Sequence, residues 1–399
     1  MSRNRIFPSI IISSRNTSPR LPFSLSPLPG FSASPLLRFS PSPVAPRLRV
    51  FPAAPRFALC AFPLLRLPAF FQSEILVYVT MRLRLLYHGH CFDGVASAAT
   101  FTRFYKERIH PDAEVQYQGL LHRPGNLFDE NMFDGDENAI VDFKYSPSEK
   151  LTWWFDHHES AFLKPADEAN FQADKSGQKF LDVNSKSCTE FIARVARERF
   201  SFNDEPLKDL IHWAHIIDGA LYESPAQCVE LKEPALQLMQ VIEADPDDQF
   251  VEQLIRELTI KPLAEVASSD EVQRRFRPIL EQHLETLETI RRKAIFSGGV
   301  VHFDLVDEGY DGFNKFIPYY LFPNATYSVA LTRGPQRTKI SVGSNPWSPR
   351  PRTHNIAKIC ERYGGGGHAV VGAVSLKPEE VEEGRAAMRE IVAELSQSE

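Results

Sequence analysis

The chain is predicted to be an α/β protein with a first domain on a parallel sheet, a helical connector and a smaller α/β C-terminal domain, all preceded by a disordered N-terminal extension. Three observations predict this order. Short apolar runs alternate with helical patterns over residues 81–230. Residues 231–295 show helical patterns alone, and strand patterns return over residues 296–399. Residues 1–80 differ from the rest in composition.

The N-terminal extension contains nine Arg, no Lys, one acidic residue (Glu74) and 13 of the 30 Pro. It therefore carries a charge of +8, and the rest of the chain carries −14. Because proline fixes φ and removes a backbone donor, we expect a disordered segment, or an over-long start with Met81 as the true first residue. A transit peptide and a membrane anchor over residues 57–79 are the alternatives, but prolines interrupt the helix that each needs.

The overall composition excludes several classes of protein. Apolar residues make up 43% and charged residues 24%, which is typical of globular proteins, and 399 residues suggest about two to three domains. A net charge of −6 argues against a general nucleic-acid coat, and no apolar run is long enough for a membrane span. Five scattered Cys do not form a disulfide framework, which favours a reducing compartment such as the cytoplasm.

The first domain is predicted to alternate strands with helices. Strands are expected at residues 82–88, 115–118, 139–143 and 151–155, and helices at 94–108, 187–200 and 207–217. This order implies a mostly parallel sheet covered on both faces, with a ligand site beyond the carboxyl ends of its strands. The C-terminal domain is predicted to contain strands at 299–304, 325–332, 339–343 and 373–376, a helix at 355–363 and a last helix from Pro378.

Histidine and aspartate stand where the apolar runs of the predicted strands stop. They are found in the segment 88–94 (HGHCFDG), at Asp142, in the triplet 156–158 (DHH) and, on a later helix, at His212, His215 and Asp218. Several carboxylates in one crevice repel each other unless cations neutralise them. Mixed Asp and His ligands suit manganese, with cobalt, iron or zinc as alternatives. The number of ligands favours two ions, which suits phosphoryl chemistry.

These segments resemble, in the same order, the motifs of the DHH phosphoesterases over about residues 81–399. The triplet 156–158 resembles the family signature, His88 and Asp93 the first motif, Asp142 the second and Asp218 the fourth. Residues 364–368 (GGGGH) resemble the glycine-rich motif of the associated substrate-binding domain. The family includes nanoRNA and cyclic-dinucleotide phosphodiesterases, single-strand DNA exonucleases and family-II pyrophosphatases. Residues 81–230 would then be the DHH catalytic domain and 296–399 the substrate-binding domain.

The resemblance implies a role for each matched residue. The metal ligands would be His88, Asp93, Asp142, His157 and Asp218, with Asp142 bridging two ions. Catalysis would use Asp142, His157 and His158; His158 would contact the substrate phosphate, and Asp156 would orient a ligand histidine. Substrate would also be bound by Gly365, Gly366, Gly367 and His368, and the guanidinium groups of Arg333 and Arg352 are further candidates for a phosphate or carboxylate.

Two positions depart from the family pattern. The family usually has another Asp before Asp93, where this chain has His90 and Cys91. His90 is predicted to replace this metal ligand, and Cys91 is the alternative. The glycine motif also continues in altered form through residues 368–372 (HAVVG).

The sequence therefore predicts a manganese-dependent hydrolase, with two divalent ions, that cleaves phosphodiester or phosphomonoester bonds of short oligonucleotides or small nucleotides. Nuclease activity falls within this prediction, no membrane partner is expected, and a homodimer is compatible with it. Two alternatives stay open: a non-catalytic nucleotide-binding module, and a pyrophosphatase or polyphosphatase. His212 and His215 are expected to pack or to support the site, because Asp218 alone matches a family position on that helix.

Overall fold

The structure is a computed structural model that describes residues 80–397 except residues 124, 246 and 311. The predicted extension therefore lies, apart from its last residue, outside the described residues. All described residues belong to the same compact unit. The predicted α/β class is confirmed: a parallel sheet with helices is followed by a second, mixed sheet.

The first sheet has five parallel strands in the order β2-β1-β3-β4-β5. Their bounds are β1 Arg82–His88, β2 Glu114–Leu120, β3 Glu137–Val141, β4 Trp153–Asp156 and β5 Lys179–Leu181. The first four agree with the sequence-based strands to within two residues at each end. β5 is absent from the prediction because three residues are too few to show a strand period.

Nine helices of this part of the described chain surround the parallel sheet or extend from it. They are α1 Phe92–Arg108, α2 Pro165–Ala173, α3 Cys188–Phe200, α4 Lys208–Asp218, α5 Pro225–Val229, α6 Pro234–Ala244, α7 Asp248–Ile260, α8 Leu263–Ala267 and α9 Asp270–Lys293. The predicted all-helical segment is thus present, but it does not stand apart as a spacer. Leu254 and Ile255 of α7 share one core with Phe101 of α1. The domain boundaries stay a prediction.

Both faces of the parallel sheet are buried, because successive side chains of a strand point to opposite faces. Leu83 and Leu85 of β1 enter the core formed with α1, α3 and α7. Leu86 enters the core on the other face, with Ile140 and Trp154. A sheet covered on both faces leaves its strand ends as the place for polar groups.

The second sheet has six strands in the order β10-β11-β9-β8-β7-β6, and among them only β7 and β8 pair in parallel. The strands are β6 Ile295–Ser297, β7 Val300–Asp304, β8 Tyr327–Arg333, β9 Thr338–Ser344, β10 Gly366–His368 and β11 Val371–Leu376. The helices are α10 Ile317–Leu321, α11 Ile356–Glu361 and α12 Val381–Ser396. Among the described helices, none is long and apolar enough to cross a membrane.

The glycine run forms the edge strand β10 rather than a free turn. A Cβ on Gly365 would lie 2.2 Å from the carbonyl oxygen of Ala373, and one on Gly367 would lie 2.3 Å from that of Val371. Gly367 also has a φ of +147°, which side chains rarely allow. Glycine is therefore required here for the backbone to approach β11 closely.

Candidate metal centre

Three neighbouring strands bring predicted ligands to one edge of the parallel sheet. His88 ends β1, Asp142 follows β3 directly and His157 follows β4 directly. β3 lies between β1 and β4, so the three carboxyl ends are adjacent. Asp142 has a φ of +56°, a left-handed conformation that is strained for a residue other than glycine and that occurs preferentially at functional sites.

The imidazole of His157 lies at the centre of a group of carboxylates. Its Nε2 atom is 3.4 Å from Oδ1 of Asp142, 3.4 Å from Oδ2 of Asp218 and 3.8 Å from Oδ2 of Asp93. The second carboxylate oxygen of Asp142, Oδ2, lies 3.3 Å from Nδ1 of His88. The structure therefore brings together all five residues that the family resemblance assigns to metal, and their role as ligands stays a prediction.

The donor atoms of this cluster fit divalent cations. Oδ1 of Asp142 and Nε2 of His157 are buried, yet neither has a hydrogen-bond partner among the described residues. Buried polar atoms almost always have a partner, and a cation would supply one to both. Three sets of residues each offer possible ligand atoms that lie within 4.8 Å of one another. The sets are His88, Cys91 and Asp142; Asp142, His157 and His158; and Asp93, His157 and Asp218. Asp142 belongs to two of these sets, as a bridging ligand would.

Three residues that the sequence did not indicate hold His157 and Asp93 in place. Nδ1 of His157 lies 3.1 Å from the carbonyl oxygen of Ser185, which can only accept, so Nδ1 carries the proton and Nε2 is free to face the cluster. Asp93 accepts hydrogen bonds from the backbone N–H of Cys188 (2.6 Å) and from the hydroxyl of Thr189 (2.6 Å), at the start of α3. Asp93 therefore also stabilises the amino end of that helix.

Asp156 orients His158 rather than a predicted ligand. Its Oδ1 atom lies 2.7 Å from Nδ1 of His158 and also accepts the backbone N–H of His157 at 2.8 Å. The hydrogen bond to Asp156 is the main cause that raises the pKa of His158. The imidazole of His158 is thus favoured in its charged form, with Nε2 free.

Burial and the close approach of charged groups shift the pKa values of the residues in this cluster. Burial, followed by the charges of Asp142 and Asp218, raises the pKa of Asp93 well above its ordinary value. Burial and the charge of Asp142 likewise raise the pKa of Asp218. Burial alone would raise the pKa of Asp142, but the neighbouring His157 and His88 lower it. Burial opposes the charged form of His157, but Asp142 and Asp93 outweigh it and raise the pKa to about 10.

We expect Mn²⁺ binding to the metal-free protein to strengthen as the pH rises. His157 is protonated below its pKa of about 10 and must lose that proton to become a ligand, so cation and proton compete. Asp93 and Asp218, whose pKa values are also raised, act in the same direction. Each proton released adds up to about a tenfold gain in affinity per pH unit. Calorimetry in buffers of different ionisation enthalpy measures the released protons; binding without proton release would contradict this prediction.

Comparison with known proteins adds a finding about the fold. No protein-family model and no curated protein matches this chain. Among solved structures, it is similar to a pGpG-specific phosphodiesterase from Vibrio cholerae, with 19% identity, a TM-score of 0.56 and coverage of 79% of this chain and 99% of that chain.

The chain has the fold of this phosphodiesterase.

Two further solved structures are similar at lower TM-scores. An exopolyphosphatase-related protein from Bacteroides fragilis has 15% identity and a TM-score of 0.44, and the match covers 79% of this chain and 93% of that chain. RecJ from Thermus thermophilus, in complex with Mn²⁺, has 13% identity and a TM-score of 0.45, with coverage of 79% and 52%.

Of the two candidates for the replaced metal ligand, Cys91 rather than His90 lies close to the other candidate ligands. Sγ of Cys91 belongs to a set of ligand atoms with His88 and Asp142, whereas His90 belongs to no such set among the described residues. His90 has a φ of +53°, so the backbone turns sharply between the two side chains. Burial, followed by the charges of Asp142 and Asp93, raises the pKa of the Cys91 thiol well above its ordinary value. The geometry therefore favours Cys91 over the predicted His90 as the replacement ligand.

The other histidines near the site have different surroundings. His212 and His215 belong to none of the ligand sets among the described residues and line a separate cavity of about 430 Å³ with Lys186 and Arg194. His122 is a neighbour that the sequence analysis missed: its ring centroid lies 4.9 Å from that of His88. Because His122 follows β2, the same rule of polar residues at strand ends could have indicated it.

The predicted substrate residues divide between the two ends of the second sheet. Val371, next to the turn after β10, pairs with Gly343 of β9, whereas Arg333 pairs with Thr338 of the same strand. Gly343 and Thr338 are five residues apart along β9, which corresponds to about 17 Å. The structure therefore does not bring Arg333 to the glycine motif.

Arg352 lies at the same end of the second sheet as the glycine motif. Its guanidinium donates to the carbonyl of His354, and the neighbouring backbone N–H of Thr353 donates to the Tyr327 hydroxyl at 2.8 Å. Tyr327 pairs with Ser344, whose backbone N–H donates to the carbonyl of Val370. His368 and the glycines of β10 are thus near Arg352, and their contact with substrate stays a prediction.

Proposed function

We propose that this chain is a divalent-metal-dependent phosphoesterase that hydrolyses phosphodiester or phosphomonoester bonds of short oligonucleotides or small nucleotides. The observation that carries the proposal is the convergence of carboxylates and imidazoles around two buried atoms without a hydrogen-bond partner among the described residues, Oδ1 of Asp142 and Nε2 of His157, which lie 3.4 Å apart. The fold shared with the pGpG-specific phosphodiesterase supports it, and makes 5′-phosphorylated dinucleotides the first substrates to test.

In this proposal His88, Asp93, Asp142, His157 and Asp218 hold two cations, with manganese as the expected metal. Bound cations of this kind offset the charge of a phosphoryl group and make a nucleophile from water near neutral pH. His158 would lie beside them. Its Nδ1 is held by Asp156, and its pKa is raised. A charged imidazole at that position would donate a hydrogen bond from Nε2 to a phosphoryl oxygen and stabilise the charge that develops there.

The second sheet is proposed to bind the remainder of the substrate. Gly365, Gly366, Gly367 and His368 would contact phosphate through backbone N–H groups and the imidazole, and Arg352 would add a charged donor. Trp347, which follows β9, donates a hydrogen bond from Nε1 to the carbonyl of Tyr222 at 3.0 Å. This end of the second sheet therefore contacts the part of the chain that follows Asp218. A cytoplasmic location and a homodimer stay predictions.

A substrate panel tests this proposal. Dinucleotides such as pGpG and pApA, longer RNA and DNA, cyclic dinucleotides, 3′-phosphoadenosine phosphate and pyrophosphate would each be incubated with Mn²⁺ and, as a control, with a chelator. We expect turnover of dinucleotides or small nucleotides that requires the cation. Turnover of pyrophosphate alone would instead assign a pyrophosphatase, and nucleotide binding without any turnover would assign a binding module.

A further inference from the structure

A cavity of about 470 Å³ lies beside the candidate metal centre and is not part of it. Its walls come from α4, α6, α9 and the segment 312–316 before α10. Pockets of about 300–1,000 Å³ hold small ligands in proteins, and a nucleoside fits this one. Ile217 contributes to the wall and immediately precedes Asp218, a candidate metal ligand, on α4.

The wall of the cavity is fixed by contacts between segments distant in sequence. Asn314 donates a hydrogen bond from Nδ2 to the carbonyl of Cys228 at 2.9 Å. The rings of Tyr222 and Phe316 meet edge to face with centroids 5.5 Å apart, and Phe316 meets Trp347 at 5.4 Å. A wall held in this way is preorganised, which lowers the entropic cost of binding a ligand.

One side of the cavity presents polar groups without partners. Among the described residues, the side chains of Gln240, Glu243 and Gln282 make no hydrogen bond or ion pair, although all three line the cavity. Glu243 is exposed to solvent within the open cavity. The protein around its carboxyl group still raises the pKa of that group to about 7. The nearest opposing charge, on Lys315, lowers that pKa only in part. A carboxylate that lines a cavity without a hydrogen-bond partner favours a ligand with N–H donors.

The other side of the cavity is apolar. Met239, Ile279 and Phe313 line it, and Phe313 is held by an edge-to-face contact with Phe303 at 5.2 Å. Apolar and aromatic side chains of this type cover the flat faces of nucleobases, while hydrogen bonds at the edge of the ring distinguish one base from another.

We infer that this cavity binds a nucleobase of the substrate and that Glu243 recognises guanine. Guanine presents two adjacent N–H donors, on N1 and on the N2 amino group, and one carboxylate can accept both. Adenine presents a ring acceptor, N1, beside its single amino group, and that acceptor would face the carboxylate unfavourably. The side chains of Gln240 and Gln282 can donate to the O6 and N7 acceptors of guanine. This inference rests on the proposed function and specifies its substrate class.

Matched dinucleotides test the inference. The full chain would be assayed with Mn²⁺ on pGpG, on the inosine analogue that lacks the N2 amino group, and on pApA. The wild type is expected to prefer guanine over both. Glu243→Gln should lower kcat/KM for pGpG by about 10- to 100-fold, as expected for a lost hydrogen bond to a charged group, and should remove the preference for guanine over inosine. The control Glu285→Gln changes an exposed carboxylate of α9 that does not line the cavity.

The outcome separates this inference from the proposed function. Equal kcat/KM for pGpG and pApA in the wild type, or an unchanged preference in Glu243→Gln, would overturn the guanine assignment and leave the phosphoesterase intact. If no substrate is turned over, the proposed function fails, and calorimetric titration with GMP and AMP decides the cavity on its own. Tighter binding of GMP, lost in Glu243→Gln, would then support it, and equal binding or none would reject it. Because Glu243 is exposed and its side chain makes no hydrogen bond or ion pair among the described residues, we expect Glu243→Gln to leave the thermal stability unchanged.

Discussion

Asp142→Asn should reduce the turnover of the best substrate by about 1,000-fold or more, because the amide can neither bridge two cations nor compensate their charge. Asp142 is 1% exposed, belongs to two sets of ligand atoms and has one oxygen without a partner. Asparagine matches its size, so the packing around β3 is retained. The measurements are kcat with Mn²⁺ and the number of Mn²⁺ ions bound per chain, and we expect both to fall.

The control for this prediction is Asp112→Asn. Asp112 is an exposed carboxylate between α1 and β2, away from the ligand sets, so its loss should leave both quantities unchanged. A second readout concerns His157, whose raised pKa depends on Asp142 and Asp93. In the metal-free Asp142→Asn variant this pKa should fall, which histidine NMR would detect. Full activity in Asp142→Asn together with an unchanged His157 would remove the basis for the proposed function.

The parallel sheet explains why most of the cluster was predictable. Apolar runs that stop at His88, Asp142 and His157 mark strand ends, and adjacent parallel strands must place those ends together. Ser185 and Thr189 were not predictable, since their contacts with His157 and Asp93 join segments far apart in sequence without any shared period.

The same reasoning does not extend to the mixed sheet. Arg333 does end a strand, as expected, but β8 and β9 are antiparallel, so the last residue of β8 lies beside the first residue of β9. The glycine motif lies at the other end of β9, beside Gly343. Apolar runs do not reveal how strands pair, and only this pairing shows that Arg333 lies far from the predicted substrate-binding residues of the glycine motif.

The choice between the neighbouring residues His90 and Cys91 could not be made from the sequence. The spacing alone does not decide between His90 and Cys91, because the direction of each side chain depends on the backbone turn between them. The positive φ of His90 separates the two side chains, and Cys91 joins His88 and Asp142. Gly94 contributes to this arrangement, because a Cβ there would lie 2.1 Å from the carbonyl oxygen of His88.

Replacement of Cys91 should change which metal the site prefers. Thiolates favour zinc and cobalt, whereas carboxylates favour manganese and magnesium. Loss of a residue that only supports a metal ligand typically lowers the affinity by about 10- to 100-fold. Because Cys91 would be a direct ligand, Cys91→Ser should lower the affinity for Zn²⁺ or Co²⁺ by at least that much. Cys91→Asp, which introduces the residue type usual in the family, should shift the preference towards Mn²⁺. Metal content after dialysis against equimolar mixtures of the ions measures the preference.

Spectroscopy distinguishes direct ligation by Cys91 from a structural role. Metal must displace the proton of a thiol whose pKa is raised by burial, so Co²⁺ binding should produce a sulfur-to-metal charge-transfer band in the near ultraviolet. The band should vanish in Cys91→Ser and persist in Cys360→Ser, which changes a buried thiol in the core of the second sheet. A Co²⁺ complex that binds tightly but has no such band would show that Cys91 remains protonated beside the metal. Manganese, held by oxygen and nitrogen atoms alone, would then be the better match to the centre.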